Sequence, residues 1–253
     1  MKLALNMILK NEERSIIRCL ESVKSLVNEM VLVDTGSTDD TLNLLNQFRE
    51  SNSNIDIKIL HFDWVDDFSK ARNFAIEQTA AGIILMLDAD EFFDSADILK
   101  VTAAIKKGIK LKRKFLVEFP FINLVGEQQF KNDLASMKIV KVFPNSPAVR
   151  FTRHVHESLQ NIQSLSIIKA AAPIYHDGYD PQLVDQLAKK KMYLQLLNQA
   201  IQDNPEDDVS MFYFARTIGS FDKDKAKNLM LRLLGMTKSN SVKAACNEYL
   251  SRF

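Results

Sequence analysis

Ile83-Ile84-Leu85-Met86-Leu87-Asp88-Ala89-Asp90-Glu91 decides the reading of this chain. Its five leading residues are apolar without a break, the pattern of a strand buried on both faces of a mostly parallel sheet. Two carboxylates one residue apart follow at the exit of that strand. In open α/β sheets the carboxyl ends of such strands are where ligands bind. Asp88 and Asp90 point the same way in extended backbone, and Ala89 points oppositely. Like charges that close repel, and a divalent cation holding a diphosphate would relieve the repulsion. The plainer alternative has one Asp capping a following helix and the other solvated, and Asp-x-Asp alone does not separate the two.

Upstream, apolar runs alternate with helical spacing. Leu3 to Leu9 reads as a strand, Ile16, Leu20, Val23 and Val27 as a helix face, Met30 to Val33 as a strand, and Leu44, Leu45 and Phe48 as a helix. Ile57 to Phe62 is a third strand and Phe68 to Thr79 a third helix, which makes Ile83 to Leu87 the fourth strand. This βαβα order predicts an α/β layer with a mostly parallel sheet flanked by helices. Downstream, Ser95 to Lys107 is helical, while Phe115 to Val125 and Ser136 to Phe143 are expected to form a smaller mixed sheet punctuated by Pro144, Pro147 and Pro173. Beyond Pro181, Leu183, Leu187, Leu194, Leu197 and Ile201 recur at helical spacing, and Val209 to Ile218, Ala226 to Leu234 and Val242 to Leu250 continue as short amphipathic helices. The expected division is therefore 1–180, an α/β domain, and 181–253, a helical appendage. The paired helices are similar to tetratricopeptide units without the full repeat signature. Such an appendage covers one side of the α/β domain, forms a homodimer contact, or recognises a partner.

The 253 residues are 46% hydrophobic and carry a formal net charge of +1, so no global charge argues for nucleic acid or an anionic membrane. Local charge is another matter. Lys106 to Lys114 is the densest basic stretch, read either as a solvated helix end or as a peripheral membrane contact. Cys19 and Cys246, the two cysteines, both fall in helical patterns, which suggests neither a disulfide framework nor a thiolate zinc site and fits a reducing, cytoplasmic setting. The N-terminus turns polar too early for a secretory segment, and no apolar run reaches the length of a transmembrane segment. None of the seven glycines forms a dinucleotide fingerprint or a P-loop, and no G-x-S-x-G elbow occurs.

Three further stretches carry chemistry. Val33-Asp34-Thr35-Gly36-Ser37-Thr38-Asp39 reads as a strand end, a turn at Gly36 and a capped helix start, where Asp34 could accept from a nucleobase imide or a ribose hydroxyl. An ordinary βα turn rich in caps would look the same. Asp66-Asp67-Phe68-Ser69-Lys70-Ala71-Arg72-Asn73 begins a helix whose Arg72 could grip a phosphate or hold Asp88, or simply pair with Asp66 or Asp67. His154-Val155-His156-Glu157 and Tyr175-His176-Asp177-Gly178-Tyr179 hold three of the four histidines, and a neutral imidazole can complete the shell of a manganese-like ion held by carboxylates. His156-Glu157-Ser158-Leu159-Gln160 is not a zincin helix, since Gln160 stands where a second ligand would. Glu157 could serve as a general base, and His61 reads as structural.

Taken in order, Asn6-Met7-Ile8-Leu9-Lys10-Asn11-Glu12-Glu13, Val33 to Asp39, Asp66 to Asn73 and Leu87 to Glu91 resemble the GT-A glycosyltransferases of family two. The resemblance covers the first hundred residues, and His156-Glu157 and His176 to Tyr179 look like the family's later landmarks. Two branches compete, bacterial peptide S-glycosyltransferases and lipopolysaccharide-core sugar transferases. The resemblance implies a GT-A fold, with uracil and ribose contacts on Leu9, Asn11, Glu12, Asp34 and Asp39 and with Arg72 near the nucleotide. It implies Mn²⁺ or Mg²⁺ on Asp88 and Asp90, with His156 or His176 as further ligands, and Lys138 or Lys141 as the basic residue before a hydrophobic-Phe pair. The expected activity is inverting transfer of a hexose or N-acetylhexosamine from a UDP-sugar to a peptide, protein or glycan, with Glu157 as base. A nucleotidyltransferase, or an adaptor with a dead pocket, is the rival reading.

Overall fold

The computed structural model describes residues 2–125, 128–129, 137–178 and 186–252. Two compact units emerge: Met1–Val65 with Lys70–Phe151 and Leu159–Val184, and Asp66–Ser69 with Thr152–Ser158 and Asp185–Phe253. The expected boundary at 180/181 and Tyr179 lie outside the described residues.

The first unit is built on a mixed sheet. Strands β1 (Leu3–Leu9), β2 (Glu29–Asp34), β3 (Asp56–His61) and β4 (Ile83–Met86) alternate with helices α1 (Ile16–Val23), α2 (Thr41–Ser51) and α3 (Phe68–Glu77). All pairs among these four strands are parallel, in the order β3-β2-β1-β4. Every residue of β1, β2 and β4 is buried, as expected of parallel strands covered on both faces. Their side chains feed two cores. Ile83 and Leu85 join the cluster with Leu5, Leu20 and Leu32, whereas Ile84 and Met86 pack on the opposite face with Ile76, Leu116 and Phe143. Helix α1 buries Ile16, Cys19, Leu20 and Val23, the i, i+3, i+4, i+7 stripe that defines a core-facing helix.

The rest of the sheet departs from the sequence expectation. After β5 (Glu91–Phe92) and α4 (Ile98–Lys110) come β6 (Phe115–Val125), β7 (Gln128–Gln129), β8 (Lys138–Pro144), the short ribbon of β9 (Phe151–Thr152) and β10 (Ser158–Leu159), then β11 (Ser166–Lys169) and β12 (Ile174–His176). Apart from the two-stranded β9–β10 ribbon, these later strands do not form a separate smaller sheet. β8 runs antiparallel between β4 and β6, so the sheet continues as β4-β8-β6-β12-β5. Buried Val142 pairs with Leu85 on β4 and Val117 on β6 at once, which periodicity along one strand cannot reveal. Because β1 lies between β2 and β4, the connections diverge from its carboxyl end, and that is where a crevice opens in such sheets.

The second unit contains α5 (Gln186–Asp203), α6 (Asp208–Ile218), α7 (Lys223–Met236) and α8 (Asn240–Leu250). Its core is Ala215, Met230, Leu233, Val242 and Cys246. Asp207, Asp222 and Ser239 cap α6, α7 and α8 through side-chain oxygens that accept from Ser210, Lys225 and Val242 amides. Among the described residues no helix is long and apolar enough to cross a membrane.

Candidate functional site

At the carboxyl ends of β1 and β2 the two following loops are stitched together. Asn11 takes a left-handed conformation (φ 57°), donates its amide to Ser37 Oγ at 2.9 Å, and accepts from the Thr38 amide at 2.7 Å. Glu12 donates its amide to Thr41 Oγ1 at 2.8 Å, and the Glu13 amide donates to Asp39 Oδ2 at 3.2 Å. Asp39 also accepts from Thr41 at 2.5 Å (Oγ1) and 3.0 Å (N). Burial alone would raise the Asp39 pKa, but these donors outweigh it and the net direction is downward. Asp34, 3% exposed, turns its carboxylate onto the Gly36 and Ser37 amides at 3.0 and 3.1 Å, while Gly36 supplies the φ of +106° that the turn needs. The Leu9 carbonyl accepts from both Thr35 N and Thr35 Oγ1. Asp34, Asp39 and Leu9 are thus brought together with Asn11 and Glu12, each with a role in shaping the loops.

A second cluster sits at the exit of β4. Arg72 on α3 donates to Asp88 Oδ1 at 2.7 Å, and Lys141 on β8 donates to Asp88 Oδ2 at 3.4 Å and to Glu91 Oε2 at 2.6 Å. Lys141 and Glu91 are almost wholly buried, with side chains 7% and 2% exposed. Burial pushes the Asp88 carboxyl up, but the Arg72 and Lys141 cations overcome it and hold the group well below the usual carboxylate range. Glu91 goes the other way. Its burial, reinforced by the Asp88 charge, raises it to about 7 against the pull of Lys141. Beneath them the buried Cys19 thiol lies 3.6 Å from the Asp88 carbonyl, to which it donates; burial first, and then the three neighbouring carboxylates, keep it protonated.

Asp90 meets a different partner. β12 pairs antiparallel with β5 and parallel with β6, which sets His176 opposite Glu91 on one side and Asn123 on the other. His176 Nε2 lies 3.2 Å from Asp90 Oδ2, and Nδ1 lies 2.8 Å from Asn123 Oδ1. Nδ1 thus faces the Asn123 side-chain amide and Nε2 faces the Asp90 carboxylate, so the ring bridges the two groups whichever nitrogen carries the proton. A proton between Nε2 and Oδ2 joins the pair at that distance, and a cation could take its place. The donor set, one carboxylate oxygen and one imidazole nitrogen with its other nitrogen fixed by an amide, fits a manganese- or magnesium-like ion. Gly178 closes over the same pair, since a Cβ there would stand 2.0 Å from Asp90 Oδ2 and 2.7 Å from His176 Nε2. Among the described residues no three His, Cys, Asp or Glu side chains gather round one point. A cation held by these two donors would draw its remaining ligands from water and phosphate oxygens.

Of the histidines expected near a metal, His176 stands beside Asp90 and His156 belongs to the second unit. His156 has φ 53°, and its ring stacks on Tyr213 at 3.7 Å between centroids. Burial, and then the Arg216 charge, depress it to about 4, so it is a neutral imidazole. Glu157 follows it in the same unit. His154 Nε2 lies 3.5 Å from Asp67 Oδ2 and 3.6 Å from Asp203 Oδ2. His61, read as structural, contacts Asp63 at 3.1 Å.

Residues 6–110 match the family model described as glycosyl transferase family 2. This stretch is similar to that family. The matched stretch runs from within β1 to the end of α4 and includes Asp34, Arg72, Asp88 and Asp90. A TPR repeat-containing protein of Synechococcus elongatus is 30% identical over 217 residues, 81% of this chain and 49% of that protein. The SPbeta prophage-derived glycosyltransferase SunS of Bacillus subtilis is 29% identical over 221 residues, 86% of this chain and 49% of its own length. The chain therefore spans about half the length of these curated relatives. Among solved structures, S. aureus TarS 1–349 in complex with UDP-GlcNAc superposes with a TM-score of 0.55 at 15% identity, covering 97% of this chain and 84% of that one. The shared architecture is the GT-A fold that the family 2 motifs implied.

Proposed function

We propose that this protein is a metal-dependent, inverting glycosyltransferase that moves a hexose or N-acetylhexosamine from a UDP-sugar to a peptide, protein or glycan acceptor in the cytoplasm. The observation that carries this reading is the Asp90–His176 contact at the exit of a parallel strand, a carboxylate and an imidazole 3.2 Å apart beside a cation-clamped Asp88. The family 2 segment and the likeness to SunS and to a UDP-GlcNAc-bound fold support it.

In this reading the stitched loops at β1 and β2 receive the uracil and ribose, with Asn11, Glu12, Asp34 and Asp39 as the contacts. Arg72 and Lys141 hold Asp88 ionised and in place, so that its charge is fixed before ligand arrives. Asp90 and His176 would hold the cation, which supplies Lewis-acid neutralisation of the leaving diphosphate. Glu157 is proposed as the base that takes the acceptor's proton, a contribution of typically about 10²- to 10⁴-fold.

The test is a screen of UDP-sugars with manganese that reads released UDP, run with the chain and with Asp90→Asn. UDP release that depends on manganese and is lost in the variant is the expected result. Pyrophosphate as the released product would overturn sugar transfer in favour of nucleotidyl transfer, and undiminished release by Asp90→Asn would overturn the cation assignment.

A further inference from the structure

The densest positive charge in the chain takes no part in the site described above. Between Ile98 and Val117 there are seven basic residues and no acidic one, in a chain whose overall balance is +1. Helix α4 buries Val101, Ala104, Ile105 and Gly108 against the core of the first unit. Its opposite face presents Leu99, Ala103, Lys106 and Lys110 at i, i+4, i+7 and i+11, all exposed. At 1.5 Å per residue that face runs about 16 Å from Leu99 to Lys110. Leu99 is 81% exposed, the highest value among the exposed large apolar side chains of the described residues. Lys106, Lys107 and Lys110 rim a shallow hollow of about 470 Å³ floored by Ala103 and Leu111.

Two of the seven cations are engaged, Lys100 with Asp97 at 2.6 Å and Lys114 with Ser146 Oγ at 2.8 Å. The other five, Lys106, Lys107, Lys110, Lys112 and Arg113, form no ion pair among the described residues. Of the flanking acids, Asp94 and Asp97 precede the helix at its other end, with Asp97 buried, and Glu118 is half-buried in β6. Five exposed like charges on one surface repel each other, and an extended anion laid across them removes that repulsion.

We propose that the outer face of α4, with the 112–114 turn, docks on an anionic lipid surface. The charges alone would suit any polyanion. Leu99 separates the classes: an exposed leucine on the same helix face as the lysines gains from insertion at the headgroup boundary, whereas duplex nucleic acid offers it only phosphate and sugar. A lipid interface rewards both parts of the face, the apolar end and the basic end, and does so without a pocket of defined shape.

The experiment is co-sedimentation of the chain with vesicles of phosphatidylcholine alone and of phosphatidylcholine with phosphatidylglycerol. Binding to the anionic vesicles only, weakened by salt, is expected. Since each basic residue near such a surface contributes about fivefold, K106Q/K107Q/K110Q should lose on the order of 100-fold in partitioning. K106R/K107R/K110R should keep it, and Leu99→Gln should weaken it with the salt dependence unchanged. Far-ultraviolet circular dichroism of each variant checks the fold, and these exposed positions leave the core untouched. Absence of binding to the anionic vesicles, equal binding to neutral ones, undiminished binding by the triple-Gln variant, or an indifferent Leu99→Gln would each overturn the proposal. Binding to duplex DNA in place of vesicles would assign the face to nucleic acid and overturn it as well.

Discussion

Lys141→Met is the sharpest perturbation the first unit allows. Lys141 is a buried ammonium shared by Glu91 at 2.6 Å and Asp88 at 3.4 Å. Methionine fills a similar volume but leaves the Glu91 carboxylate, 2% exposed, without that cation. Removing one partner of a buried pair costs about 3–5 kcal/mol when the other must stay charged. Glu91 has an escape, because it can take up a proton. With Lys141 present its pKa is already raised to about 7, and without the ammonium it rises further. The sign follows from linkage: a carboxyl whose folded pKa exceeds its unfolded value binds more protons when folded, so its contribution is largest at acid pH and falls as pH rises toward the folded pKa. In the wild type this loss levels off above about pH 7. In Lys141→Met it continues, at about 1.4 kcal/mol per pH unit, until the new and higher pKa is reached. The destabilisation caused by the substitution should therefore grow by about 1 kcal/mol between about pH 7 and pH 8. Urea unfolding followed through the chain's single tryptophan, Trp64, reads the first unit directly. Adding Glu91→Gln to Lys141→Met should recover most of the loss and flatten its pH dependence. A pH-independent penalty, or strict additivity of the two substitutions, would refute this account of the cluster.

Three other outcomes follow from the same geometry. Gly178→Ala places a methyl 2.0 Å from Asp90 Oδ2, so manganese-dependent UDP release should fall by about 100-fold or more while the thermal midpoint moves little, as expected when a reacting group is misplaced by about 1 Å. Asn123→Ala removes the amide that fixes His176 Nδ1, and manganese affinity measured by calorimetry in the presence of UDP should drop about 10- to 100-fold, the usual effect of losing a histidine's outer partner. Asp39→Ala deprives both Thr41 and Glu13 of their acceptor, and should cost about 1 kcal/mol in urea unfolding and weaken UDP binding in the same titration.

Much of the first unit was legible in the sequence because its strands are buried on both faces. Apolar runs such as Leu3 to Leu9, interrupted only by Asn6, and Ile83 to Met86 have only one sensible reading when helices of period 3.6 lie between them. Phe115 to Val125 also appears as a strand over the range its pattern indicates, as do helices ending at Ile218 and Leu250. The insertion of β8 between β4 and β6 was not legible, since strand order is set by contacts some 55 residues apart, such as Leu85 with Val142. Asp88, Arg72 and His176 announced themselves as charged or polar groups beside apolar runs. Lys141 was only one of two candidate lysines until the sheet register buried it against Glu91, and nothing marked Asn123 within an apolar strand. Cys19 reads as an ordinary core residue of α1, and only the fold puts its thiol under the Asp88 carbonyl.

The stitched loops after β1 and β2 have a consequence for how such a protein can be altered. Asn11 with Thr38, Glu12 with Thr41 and Glu13 with Asp39 form reciprocal pairs across more than two dozen residues of chain. Neither segment keeps its shape if its counterpart is exchanged alone, because the loop amides would lose the acceptors that hold them. Chimeras that swap donor preference between relatives should therefore transplant both segments as one cassette, and drift at Asn11 or Asp39 is tolerable only when answered on the facing loop.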